Sequence, residues 1–193
     1  ALLATDLQGK LLVNRSPEPW ITSDHPSVFY NQFMEWKRLA AGSTGTGCLG
    51  FQVFLPLSPR HCLHFYDGGV YGVGSRSANV VEVTALEDAR ALNLLQAINA
   101  NECLYFGQGV AQEQCEELLR VASPFRLMDH MSIKKEPVAG EGVVRRSLLT
   151  ASLADIRCRL ALSFTRVLKK ARGYDLGTAE VVNDSETLVL RNY

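Results

Sequence analysis

The sequence predicts an α+β fold: an antiparallel or mixed sheet with helices packed on it, in a single globular domain spanning 1–193. Three observations carry this expectation. The first half alternates short β-rich runs with turn residues, a helix-start signal follows at Thr84, and a composition of 47% hydrophobic and 21% charged residues is ordinary for a globular protein. A chain of 193 residues buries roughly 70% of its unfolded surface, enough for a core with no metal, cofactor or disulfide.

Taken in order, Leu11 to Val13 and Trp20 to Thr22 read as short strands around a turn containing Pro17 and Pro19. Val28, Phe29, Phe33, Trp36 and Leu39 have the spacing of a helix over 28–39. Gly45, Gly47 and Gly50 formally match G-x-G-x-x-G, the dinucleotide-binding turn. That turn must open a helix, whereas these glycines lead into the alternating run Phe51 to Leu57, and no Lys-Ser or Lys-Thr pair closes a phosphate loop. The segment reads as a flexible hairpin connection.

Phe51 to Leu57, His61 to Tyr66 and Val70 to Val73 are β-rich, and Asp67-Gly68-Gly69 predicts an antiparallel hairpin over His61 to Val73. Val80 to Val83 adds another extended run. Thr84-x-x-Glu87 is a capping-box pattern, and Leu92, Leu95 and Ile98 line one side of the helix it opens, with a continuation towards Phe106. A second helix is expected from about Ala111 to Val121. Residues 131–142, rich in polar and breaker residues, predict a flexible surface loop. Ile156 to Phe164 fits strand and helix alike, Phe164 to Ala171 suits a helix, and Thr187 to Leu190 a last strand. The opening ALLATDLQGKLLVN reads like the middle of a fold, as in a fragment lacking an N-terminal segment.

Twenty basic and twenty acidic residues cancel, so net charge gives nucleic-acid binding no support. The local basic stretch of Arg157, Arg159, Arg166, Lys169, Lys170 and Arg172 reads as a solvated face. Cys48, Cys62, Cys103, Cys115 and Cys158 are odd in number and never paired as C-x-x-C, which suits small core residues in a reducing compartment. No apolar run approaches 18 residues and no signal peptide is visible, so the expected location is the cytoplasm, away from the membrane.

The segment Trp20-Ile-Thr-Ser-Asp-His-Pro26 ends an apolar strand in hydroxyls, a carboxylate, an imidazole and a proline. Asp24 could serve as a general base or metal ligand and His25 as a proton carrier near neutral pH. The plainer and favoured reading is a turn in which Thr22, Ser23 and Asp24 bond the backbone and Pro26 stiffens it. His61 and His64, three apart on a strand, point to opposite faces and cannot share a metal. Asp67 reads as a turn residue, and Asp129-His130 is adjacency without meaning. The G-x-S-x-G, H-E-x-x-H and C-x-x-C signatures are absent, and no metal site is expected.

Three pieces in order, Trp20-Ile-Thr-Ser-Asp-His-Pro26, Phe54-Leu-Pro-Leu-Ser-Pro59 and the helix bearing Leu92-Asn93 towards Ala100 and Tyr105, resemble the family called domain of unknown function four-two-three-eight. The similarity covers most of 20–106. Members usually begin with a segment containing H-x-x-P, to which nothing here corresponds. The resemblance implies a prokaryotic or phage-related cytoplasmic protein, with Thr22, Ser23, Asp24, Pro26, Pro56, Ser58, Pro59 and Asn93 as the residues to watch. Two functions follow as expectations. The first is a non-enzymatic module that binds a protein or small ligand through Thr22, Ser23, Asp24, Ser58 and Asn93. The second is a hydrolase acting on nucleic acid or nucleotides, with Asp24, His25 and Asn93 converging on a cleft. The first is preferred, because few convergent titratable residues can be nominated.

Overall fold

The computed structural model describes residues 7–34, 44, 48–125, 131–137, 147–153 and 160–172. Five strands form one mixed sheet in the order β3-β4-β5-β1-β7: β1 (Leu7–Asn14), β3 (Val28–Tyr30), β4 (Gln52–Ser58), β5 (His61–Asp67) and β7 (Val80–Val83). All neighbours are antiparallel except β1 and β7, which run parallel with Leu12 opposite Val81. Alternation sets the faces. On β5, Cys62, His64 and Tyr66 are buried while His61 is exposed, so the two histidines do take opposite faces.

Helix α1 (Leu86–Asn99) buries Leu92, Leu95 and Ile98 in the same core as Leu12, Phe54, Val81 and Val83. Each such side chain contributes about 1.5–3 kcal/mol relative to exposure. Its first turn holds Glu87 and Asp88, as the sequence predicts, but the helix starts at Leu86, and Ala85, not Thr84, is its N-cap, with no side-chain cap. Asp88 instead receives the backbone N–H and the hydroxyl of Ser163, tying the 160–172 segment to the helix. Helix α2 (Gln112–Ala122) packs on α1 through Cys115 and Ala122.

Several expectations are corrected. Where a helix is expected over 28–39, residues 28–34 are strand β3 followed by a 3-10 turn, Gln32–Met34, and 35–39 lie outside the described residues. Val28, Phe29 and Tyr30 prefer a pleated neighbour and find one in Phe54, Val53 and Gln52 of β4. The hairpin over His61 to Val73 does not form: β6 (Tyr71–Val73) leaves the sheet and pairs with β11 (Thr165–Val167). Asp67 does make a turn, with Val70 N–H donating to its carbonyl and Gly69 N–H to its carboxylate, yet neither Gly68 nor Gly69 takes a positive φ. Without the primed-turn geometry the strands are not returned onto one another. The hairpin that forms is β4–β5, about Ser58-Pro59.

Helix α1 stops at Asn99, and Leu104–Tyr105 is strand β8, paired with β2 (Thr22–Ser23). β11 and the one-turn α3 (Lys169–Arg172) replace the helix expected over Phe164 to Ala171, because Thr165 and Val167 find a partner strand in β6. Over Met131–Pro137 the expected loop is instead strand β9, paired antiparallel with β10 (Ser147–Leu153). The breakers that suggested a loop lie at and beyond Pro137, while the residues before it have a partner close in sequence. Gly45, Gly47, Asp129, His130, Arg157, Cys158, Arg159 and the strand expected over 187–190 lie outside the described residues.

Gly50 requires its residue type. Its φ is +79°, and a methyl group there would lie 2.8 Å from both Asn31 Oδ1 and Phe33 Cβ. The close approach lets Gly50 N–H donate to Asp67 Oδ2 and its carbonyl accept from Tyr71 Oη, which in turn accepts Phe33 N–H. Asp67 is thus a structural clasp at both carboxylate oxygens.

Candidate functional site

The segment from Glu18 to Ser27 runs alongside α1, and three carboxamides on that helix hold it. Asn93, Gln96 and Asn99 are spaced by three, so they form a stripe that winds slowly around the helix while advancing about 4.5 Å per step. Asn93 Oδ1 accepts Ile21 N–H at 3.0 Å, and its amide donates to Pro19 O and Glu18 Oε1. Gln96 Oε1 accepts the Ser23 hydroxyl at 3.0 Å and its Nε2 donates to Pro26 O at 2.9 Å. Asn99 Nδ2 donates to His25 O at 2.8 Å. An extended segment shows its polar backbone groups on both sides, and side chains that present donor and acceptor together can satisfy them where water is excluded.

Asp24 closes the far end. Its two carboxylate oxygens accept the backbone N–H groups of Asn101 and Glu102 at 2.9 and 2.8 Å, and its own N–H donates to Cys103 O. The Glu102 amide above all, with those of Asn101 and Cys103, holds the carboxyl below the ordinary Asp range despite some desolvation. This is a charge-assisted staple between the segment and the end of α1. His25 is exposed, and Asn93 sits two helical turns before Asn99. Asp24, His25 and Asn93 therefore act along a line, each at a different point of the backbone, and no described contact gathers them around a common point.

Pro59 links the second sequence piece to the first. Trp20 N–H donates to Pro59 O at 3.0 Å, Asn14 Nδ2 reaches the same carbonyl, and Asn14 N–H donates to Arg60 O. Arg60 guanidinium donates to Ser16 O at 2.6 Å. On the outer side Gly107 faces the Pro59 ring, with 3.5 Å from a Cβ built there to Pro59 Cγ. Leu57, two residues before Pro59, and Tyr105 and Phe106, just before Gly107, stand 57%, 55% and 47% exposed. Ser58 is part of the turn: its oxygen accepts Arg60 N–H and its hydroxyl meets His61 Nδ1 at 2.9 Å. Thr22 pairs with Tyr105, and its Oγ1 is buried without a hydrogen-bond partner.

Of the residues the sequence singles out, Ser23, Asp24, Pro26 and Asn93 lie along the contact of the segment with α1 and the residues after it, Thr22 pairs with Tyr105, Ser58 and Pro59 form the turn that meets His61 and Trp20, and Pro56 lies in β4 opposite Cys62. The structure leaves His64 fully buried in the sheet and commits Asp67 to the Gly50 clasp. Gln96 and Asn99 were missed by sequence reasoning. The signal was Asn93-x-x-Gln96-x-x-Asn99, carboxamides at helical spacing on a face that also carries buried leucines. Among the described residues no group of three or more His, Cys, Asp or Glu could hold a metal, and no helix is long and apolar enough to cross a membrane. Cys62, Cys103 and Cys115 are free thiols.

No curated protein and no solved structure matches the chain. A family model does, over residues 2–109, which takes in all three motif pieces and the junction they build. The chain belongs to the family described as protein of unknown function (DUF4238).

Proposed function

We propose that the domain is a non-enzymatic binding module, and that the exposed junction of the Leu57–Arg60 turn with residues 104–107 is its recognition surface. One observation carries this reading. The Ile21 N–H, the Ser23 hydroxyl and the Asp24 carboxylate are engaged by α1 and the residues after it, whereas Leu57, Tyr105 and Phe106 are exposed. A frame whose backbone and carboxylate are held in this way, beside exposed apolar side chains, suits recognition by contact more than chemistry. The ligand is an apolar segment of a protein or a small apolar molecule. A cytoplasmic setting of prokaryotic or phage-related origin belongs to the same proposal, supported by the free thiols.

The hydrolase reading would need Asp24, His25 and Asn93 to face one substrate, and Asp24 and Asn93 are occupied as described. A thermal-shift and turnover panel separates the two. Magnesium, manganese, zinc, nucleotides and single-stranded nucleic acid should leave the melting temperature unchanged and should not be hydrolysed, since only ligands that bind the folded state raise it. Phosphodiester or nucleotide hydrolysis that is abolished by Asp24→Asn would sink the binding-module reading.

A further inference from the structure

The buried imidazole of His64 sits in a chain of hydrogen bonds whose direction is fixed. Gln52 Oε1 accepts the backbone N–H of Gln32 at 3.1 Å. Gln52 must then offer its Nε2 hydrogens to His64, whose Nε2 lies 3.2 Å away, so that nitrogen is the acceptor and the ring is the neutral Nδ1–H tautomer. His64 Nδ1 is buried with no hydrogen-bond partner. The ring is stacked on Phe54 at 4.3 Å, with Tyr66 at 5.2 Å and Phe164 edge-on at 6.1 Å.

No surrounding group would welcome a second proton. On its own strand the neighbours on the same face are Cys62, whose thiol burial pushes up to about 12, and Tyr66, also raised by burial and donating its hydroxyl to Gln8. From β1 the opposite residue is Lys10, its ammonium turned to the carbonyls of Ser75 and Ala78. β4 brings Phe54 and Gln52, and the 160–172 segment brings Phe164. None of these is a carboxylate. Burial accordingly pushes the imidazole down to about 3.

We infer that His64 is an acid-operated latch: a proton from solvent on its Nε2 converts the acceptor that holds Gln52 into a donor, and the Gln32 amide, held through Gln52, is released at the start of the Gln32–Met34 turn. Two N–H groups cannot share that contact, and turning the Gln52 amide over to relieve the clash would point its hydrogens at Gln32 N–H instead. Either way one end of the chain breaks. The opened form titrates near the ordinary histidine value of about 6.5. The closed form resists the proton, so lowering the pH favours opening below that value.

The test is hydrogen exchange of the Gln32 amide in the full chain, each rate divided by its intrinsic rate at that pH. From pH 7.5 to 5.5 the opening constant should rise about tenfold, as proton linkage requires for a site with ordinary affinity only when open. Val81, on the β1–β7 side of the sheet, should change less than twofold. His64→Gln keeps an acceptor for Gln52 but cannot titrate, and should remove the dependence. The ¹⁵N spectrum of unmodified His64 gives a second readout that needs no variant, and should show Nδ1 protonated and Nε2 bare. A flat Gln32 response, an equal rise at Val81, an equal rise in a folded His64→Gln protein, or the Nε2–H tautomer would each overturn the latch.

Discussion

The two sides of the Trp20–Pro26 segment face opposite fates. Towards α1, nearly every polar group is matched by a carboxamide or carboxylate at 2.8–3.2 Å. At the Pro59 turn and in residues 104–107, the large apolar side chains Leu57, Tyr105 and Phe106 are about half exposed. The difference teaches that the polar residues most eye-catching in the sequence hold the frame, and that the surface proposed for recognition is made of residues with no chemical signature. Substitutions on the first side should therefore lower stability, and on the second side should leave it alone.

The largest effect is expected at Gln96. Gln96→Ala strands the buried Ser23 hydroxyl and the Pro26 carbonyl together, and should cost about 2–4 kcal/mol in urea unfolding. Asn93→Ala strands Ile21 N–H and should cost about 1–3 kcal/mol. A loss below about 0.5 kcal/mol for Gln96→Ala, the range of an ordinary surface change, would mean the stripe is not what holds the segment.

Asp24 comes next, and pH sharpens the comparison there. Its folded carboxyl is held below the unfolded value, 3.8, chiefly by the Glu102 amide. The contribution is therefore fully present above that value and is lost as the pH falls through the depressed one. Asp24→Asn should lower the urea midpoint at pH 7, and the gap from the parent should narrow towards pH 2. A gap that stays constant would show that charge plays no part in the staple.

The smallest effect on stability belongs to the patch. Leu57→Ser, Tyr105→Ser and Phe106→Ser should each change stability by no more than about 0.5 kcal/mol, measured by the same urea titration. A loss several times larger at Tyr105 or Phe106 would make the patch part of the core and remove the ground for calling it a recognition surface.

Much of this was legible in the residues. Alternation in Phe51 to Leu57 and His61 to Tyr66 predicted strands that are there, and the apolar spacing of Leu92, Leu95 and Ile98 predicted the helix. The residues of Trp20–Pro26 predict a bonded turn, and its partners are a distant helix and the residues after it. Local sequence could not show this, because Asn93 and Ile21 are 72 positions apart. The helix expected at 28–39 and the hairpin expected over 61–73 failed for the same reason. Val28–Tyr30 and Tyr71–Val73 take their conformations from partners, β4 and β11, that no short window contains. The patch was not foreseen at all, since an exposed Leu, Tyr or Phe differs from a buried one only in what lies beside it.

The placement of β1 bears on how the protein is made. Leu7–Asn14, the first strand described, lies between β5 and β7, whose residues leave the ribosome some 50 to 70 positions later. Such high contact order leaves β1 without its β5 partner until Asp67 has been synthesised and its other edge open to any other chain until Val83 has. Crowded translation or missing chaperones should thus harm its yield before they harm the finished molecule.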